Sequence, residues 1–335
     1  MKLVVTPRSE GKSGDMEQIY WNYMIAFYLF AAGISAGALL LSIVAGAINA
    51  EKYKGIVRVG AYVAPFPISV GILALVFDLE RPWLCWRLFV TFEGTSVMSI
   101  GAWLILFFTI VSVLYLYPWL SEARDPLRLS VRLRGFVTHR TVQRFIRYLG
   151  IVLSLGVGTY TGVLICTLAA RPFWNSPMIP IVFLISAVID AVAVITLGLY
   201  IGHPEDDDLR VNAFFMQCID FVLLLVLTIV VAFFLVGLYT STEGAGAALD
   251  VVISGQLRLH LWFGVVVLGM VIPLTHVIRQ LLPQLPGHNH RHRHRQHPLW
   301  TVVTAELCVL IGGYMLRYVV VYAGQLTTAN LVVGF

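Results

Sequence analysis

The chain has 335 residues, 59% of them apolar and only 12% charged, with a mean hydropathy of +0.83. Soluble domains carry about 25% charged residues, so these values exclude an ordinary soluble domain and point to a bilayer, where about 20 consecutive apolar residues cross as a helix. The formal net charge of +5 then records loop orientation rather than affinity for nucleic acid.

From the N-terminus, the polar segment 1–18 lacks the short apolar core and small-residue cleavage site of a removable signal peptide, so insertion is expected to begin with the first apolar run. Eight runs follow: Ile19–Ile48, Val57–Phe77, Val97–Trp119, Phe145–Ala169, Met178–Ile201, Val211–Tyr239, Leu259–Leu282 and Leu299–Ala323. Unsatisfied backbone groups cannot face lipid, so each run is expected to be a helix. The expected fold is an all-α polytopic membrane protein, its eight helices over 19–323 divided into two four-helix bundles, with 324–335 as a tail.

The first run contains GISAG, Gly33 to Gly37, a small-xxx-small spacing that brings helices close and is expected to serve packing alone. The second ends in GILALVFDLERPWLCWRLF, where Asp78, Glu80 and Arg81 precede Pro82, and Trp83 and Trp86 read as interfacial anchors. Four single cysteines, Cys85, Cys166, Cys218 and Cys308, form no CxxC pair; three sit in apolar runs as expected small buried hydrophobes. The loop HNHRHRHRQH, His288 to His297, interleaves arginine with histidine and is expected to be a solvated loop rather than a metal site. No metal ligand set is expected.

An even number of spans puts both termini on one side. Loops one-two, three-four, five-six and seven-eight hold 15 Lys and Arg against 7 on the other side, so the latter, with both termini, is expected outside, which in a bacterium is the periplasm.

Charged groups within spans are costly and demand a partner or a task. Asp190 lies about 12 residues into the fifth run, near the midplane at about 1.5 Å per residue. Asp220 and Glu306 sit in the cytoplasmic parts of the sixth and eighth runs, and His276 in that of the seventh. Singly, such acids bond neighbouring helices. Together they read as a proton route from the cytoplasm, or, in the competing class, as the coupling-ion site of a secondary transporter. The latter calls for interrupted helices and a two-half repeat, neither evident in the sequence.

The outer half carries Asn22 beside Trp21, Asp78, Arg81, Tyr160, Arg171, His260 and Arg317. Convergent donors, a carboxylate and flat rings suit a quinone head group, with Asp78 and Tyr160 placed at the chemistry and the others in the pocket or its rim. A bis-histidine haem is not expected, because only His260 and His276 fall within spans, near opposite ends of one helix.

WNYMIAFYLFAAGISAGALL, FDLERPW followed by SVMSIGAW, GTYTGVL with RPFW, and IGGYMLRYVVVYAGQ resemble, in order and across all eight runs, the signature blocks of the polysulfide reductase membrane subunit (NrfD/PsrC) family. That resemblance implies a haem-free membrane subunit exchanging electrons between menaquinol or ubiquinol and a periplasmic ferredoxin-like iron-sulfur subunit. A catalytic subunit, commonly with molybdopterin, lies beyond, and clusters belong to the partners only. The resemblance favours Asn22, Asp78, Tyr160 and Arg317 around the quinone, with Arg81 and Arg171 at the rim or partner contact. Relatives place a histidine about one turn after the asparagine, where this chain has Ile25 and Ala26, so Asp78 is the expected proton acceptor. Arg81 then either holds Asp78 ionised or orients it, and Glu80 faces water.

Overall fold

The computed structural model describes residues 21–79, 81–90, 92–123, 135, 137–168, 171–202, 207–281 and 299–332. Segment 1–18, Glu80 and the histidine-rich stretch 288–297 lie outside the described residues. Among those described, the chain is all helical: α1 (Tyr23–Asn49), α2 (Lys54–Val63), α3 (Phe66–Phe77), a 3₁₀ turn (Pro82–Leu84), α4 (Arg87–Val90), α5 (Val97–Ala123), α6 (Arg140–Cys166), α7 (Met178–Gly202), α8 (Asp207–Thr240), α9 (Glu243–Ile253), a π-helix (His260–Val271), α10 (Ile272–Leu281) and α11 (Leu299–Val332). Eight spans are long and apolar enough to cross a membrane, matching the eight expected runs; α2 with α3, and the π-helix with α10, each make one. α11 runs on past Ala323, into the stretch read as a tail.

Two spans expected to be uninterrupted are not. The second breaks at Pro65, because Pro65 and Pro67 bring no N–H to the helix ladder. The dihedrals stay near helical, φ −80° and ψ −22° at Pro65, so the chain kinks without unwinding. Neighbouring side chains take up the freed groups: Ile68 N–H donates to Ser35 Oγ of α1 at 2.8 Å, and Ser69 Oγ–H donates to Pro65 O at 2.6 Å. The seventh span begins as a π-helix, an irregularity that hydropathy does not register. Neither break exposes an unwound segment of the kind transporters use to hold ions.

α9 is the one long helix the hydropathy reading passed over, being too short to span. Thr242 caps it by accepting from Ala245 N–H at 3.3 Å, Glu243 meets the positive end of the helix dipole, and Ala248, Leu249 and Val252 bury against the second bundle.

With the first four spans (α1 to α6) taken as one bundle and the last four (α7 to α11) as the other, α7 and above all α1 pack across the division, and α1 is the more buried. It packs against α2, α3 and α6 in its own bundle and against α7 and α11 in the other. Accordingly 72% of its apolar window is buried, against 28% for α8. The GISAG spacing allows this: a Cβ at Gly37 would lie 2.5 Å from Ala187 O and 2.7 Å from the Ala191 Cβ of α7. All four cysteines are free and half-buried, not sealed as expected for those in apolar runs.

Among the described residues, the start of the first span and the end of the last meet on one face. Trp21 N–H donates to Gln325 Oε1 at 2.8 Å, and Gln325 Nε2 donates to Trp21 O at 3.1 Å. Trp174 stacks obliquely on Trp21 at 5.2 Å and donates from Nε1 to Val320 O at 2.7 Å. This clamp defines the termini face.

Candidate functional site

α1 and α3 run antiparallel, and at Gly71 they nearly touch: a Cβ there would lie 3.1 Å from Ala31 Cβ and 3.4 Å from Tyr28 Cα. Two turns further along α3, about 10 Å, the chain reaches Asp78 on the same side of the helix, level with the start of α1. Asn22 stands there as N-cap, its side-chain oxygen accepting from Tyr23 N–H at 2.7 Å, which leaves its amide N–H groups for other acceptors. Asn22 and Asp78 are both exposed. Asp78 is the C-cap of α3, so the helix ends before Pro82, and Pro82 instead opens the 3₁₀ turn. Arg81 is exposed and forms no ion pair with Asp78, contrary to the expectation that it would hold or orient that carboxylate.

Tyr160 of α6 is buried, 8% exposed. Its ring and hydroxyl occupy the space that a side chain at Gly101 of α5 would fill, and Tyr28 of α1 is its electrostatic neighbour. The kink at Pro65 matters here. Among the described residues α2 packs on α5, whereas α3 makes no more than incidental contact with it. On the termini side α3 therefore stands apart from α5, with Tyr160 of α6 packed against α5 and Asn22 and Asp78 exposed at the ends of α1 and α3. Gly101 and Tyr28 escaped the sequence reading; the signal for Tyr28 was a phenol in the middle of an apolar run.

The remaining outer-half residues gather elsewhere. Arg317 of α11 was expected beside the quinone, yet its Nη1 donates to Asp190 Oδ2 at 2.8 Å and to Gly313 O at 2.8 Å, with 1% and 0% of the two charged residues exposed. Its guanidinium lies over the rings of Phe30 at 5.5 Å and Phe183 at 5.6 Å. Gly33 makes room for it, since a Cβ there would lie 2.7 Å from Arg317 Nη2, and Gly313 likewise makes room for the Asp190 carboxylate. GISAG thus builds a charged site as well as a packing seam. Arg171 serves the clamp: Nη1 donates to Gly324 O at 2.7 Å, and the guanidinium lies 4.9 Å from the Trp174 ring centre. His260 opens the π-helix and stacks on Tyr318 at 5.2 Å, beside Tyr322.

On the other side of the ion pair, Asp220 of α8 is 4% exposed and within electrostatic reach of Asp190; Glu306 of α11, 9% exposed, is within reach of Asp220 and Tyr200. His276 and Gln280 contact each other one turn apart on α10. Buried Asn212 and half-buried Gln217 add polar atoms that a reading of charges alone passes over. An apolar cavity of the second bundle, lined by Phe173, Phe183, Phe234 and Leu316 among others, has no polar side chain to orient a head group. No group of three or more potential metal ligands occurs among the described residues.

A family profile described as "Polysulphide reductase, NrfD" matches residues 11–329. The C subunit of polysulfide reductase from Wolinella succinogenes is 32% identical, the match covering 93% of this chain and 97% of that one. Protein NrfD of Escherichia coli is 31% identical, with the same coverage of 93% and 97%. The Hdr-like menaquinol oxidoreductase integral membrane subunit of Archaeoglobus fulgidus is 24% identical over 57% of this chain and 44% of its own. With eight membrane-length helices and a match along nearly its whole length, the chain belongs to the NrfD family and is a multi-pass integral protein of the bacterial inner membrane.

Proposed function

We propose that this chain is the membrane subunit of a respiratory reductase complex and exchanges electrons between menaquinol or ubiquinol and an iron-sulfur subunit docked on its termini face. A catalytic subunit, commonly molybdopterin-containing, lies beyond that partner. The arginine and lysine bias supports a periplasmic termini face. The observation that carries the reading is the separation of α3 from α5 beside buried Tyr160, with Asn22 and Asp78 exposed at the adjoining helix ends. Two relatives matched along nearly their full length are, by name, a polysulfide reductase subunit and NrfD, and an archaeal relative is a menaquinol oxidoreductase subunit.

The donors fit a quinone. Asn22 offers free amide N–H groups at the start of α1, Tyr160 a buried hydroxyl, and Asp78 an exposed carboxylate at the end of α3. A bound quinol supplies two electrons and two protons on oxidation. Asn22 and Tyr160 orient its oxygens, Asp78 accepts a proton and releases it at the termini face, and Tyr28 and Gly101 fix the Tyr160 ring. Arg81, free of Asp78, faces the partner. Arg171 and His260 support the clamp and the π-helix beside this site, and Arg317 acts through Asp190. Asp190, Asp220, His276 and Glu306 form a proton route from the cytoplasmic side.

The test uses membranes holding the assembled complex. Asp78→Asn is expected to lower quinol oxidation about a hundredfold with assembly intact. An unchanged rate, with partner subunits still attached, removes Asp78 and with it this quinone site.

A further inference from the structure

The Arg317–Asp190 pair leaves two buried polar atoms unsatisfied: Asp190 Oδ1 and Arg317 Nε make no hydrogen bond. Asp190 borders a small cavity, about large enough for one water, walled also by Ser186, Val265, Gly269, Gly312 and Gly313. Part of this wall is π-helical. Pro273, just beyond it, has no N–H to donate, so a carbonyl among Leu268 and Gly269 loses its helical donor. Ser186 Oγ donates to Phe183 O at 3.3 Å and keeps lone pairs for another donor.

These groups select among guests. An apolar one would leave the carboxylate oxygen dry, at a cost of several kcal/mol. A metal cation would meet a carboxylate already neutralised by Arg317, with like charge beside it. We propose that the cavity is a water site, its water donating one hydrogen to Asp190 Oδ1 and the other to Ser186 Oγ. Asp220, whose own Oδ1 lacks a partner, lies within electrostatic reach of Asp190. The water is then the relay between the sealed ion pair and the cytoplasmic acids: it takes a proton from the Asp220 side, passes one to Asp190 Oδ1 and is left unchanged. This deepens the proton-route part of the proposed function and excludes a sodium-coupled use of the same acids.

High-resolution density maps of the intact complex, wild type and Ser186→Val, test it together with proton uptake per quinol in liposomes. The wild type is expected to show a density peak within hydrogen-bond distance of Asp190 Oδ1. Ser186→Val, which fills the cavity and removes the hydroxyl, is expected to lose that peak and about tenfold of the proton uptake while quinol oxidation persists. Should that variant fail to assemble, Ser186→Ala keeps the volume and is expected to weaken the peak. A dry cavity in the wild type, a peak that follows sodium concentration, or full proton uptake in Ser186→Val overturns the proposal. None of these touches the Asp78→Asn result, so the water site and the quinone site fail separately.

Discussion

In the first bundle, Asn22 and Asp78 stand exposed at helix ends, where water and helix termini satisfy their polar atoms. In the second, Asp190 and Arg317 are sealed within the bundle and depend on each other and on two glycines for space. The first arrangement costs the fold little, and its groups remain free to meet a ligand or a proton. The second carries a desolvation penalty that only a closely placed partner offsets, so its groups are committed before any substrate arrives. Here the charge at the helix ends is available, while the Asp190–Arg317 charge within the bundle is paired.

Substitutions that isolate one half sharpen this contrast. The largest effect is expected from Arg317→Met, which strands Asp190 and lowers stability by about 3–5 kcal/mol in detergent unfolding. Adding Asp190→Leu should recover much of that loss, and a double variant no more stable than the single one contradicts the pairing. Gly37→Val forces α1 away from the Ala187 carbonyl and is expected to cost about 1–3 kcal/mol, read by the same melt. At the open site, Tyr160→Phe removes one orienting hydroxyl. The Michaelis constant for quinol should rise about 2- to 10-fold, with stability close to wild type. A stability loss as large as that of Gly37→Val would instead make Tyr160 a packing residue. Smallest is Trp174→Phe in the clamp, expected to cost about 0.5–1.5 kcal/mol through the hydrogen bond to Val320 O and to leave quinol oxidation unchanged.

Span positions were legible because hydropathy over about 20 residues is a local quantity, and the described helices fall close to the expected runs. The kink at Pro65 was legible in principle, since a proline inside a span always removes a donor. The residues of the candidate site were legible as types, polar groups where lipid forbids them, but not as neighbours. Arg317 and Asp190 lie 127 residues apart in sequence, and no spacing rule joins them. Placing Arg317 with the outer-half set followed from its height in the eighth span. Height along a helix says nothing of the direction a side chain takes around it, and Arg317 turns toward Asp190.

From the order of amino acids alone follow the eight membrane spans, the side that carries the basic loops, and the ionisable groups that need an explanation, because the cost of burial in lipid is set residue by residue. Helix packing settled the rest: that α3 leaves α5, that GISAG opens a slot for a guanidinium, and that the outer-half residues divide between exposed helix ends, a clamp and a sealed pair. Those outcomes depend on the phase at which helices meet. A rotation of one residue, about 100°, changes every partner while leaving the hydropathy of the span untouched.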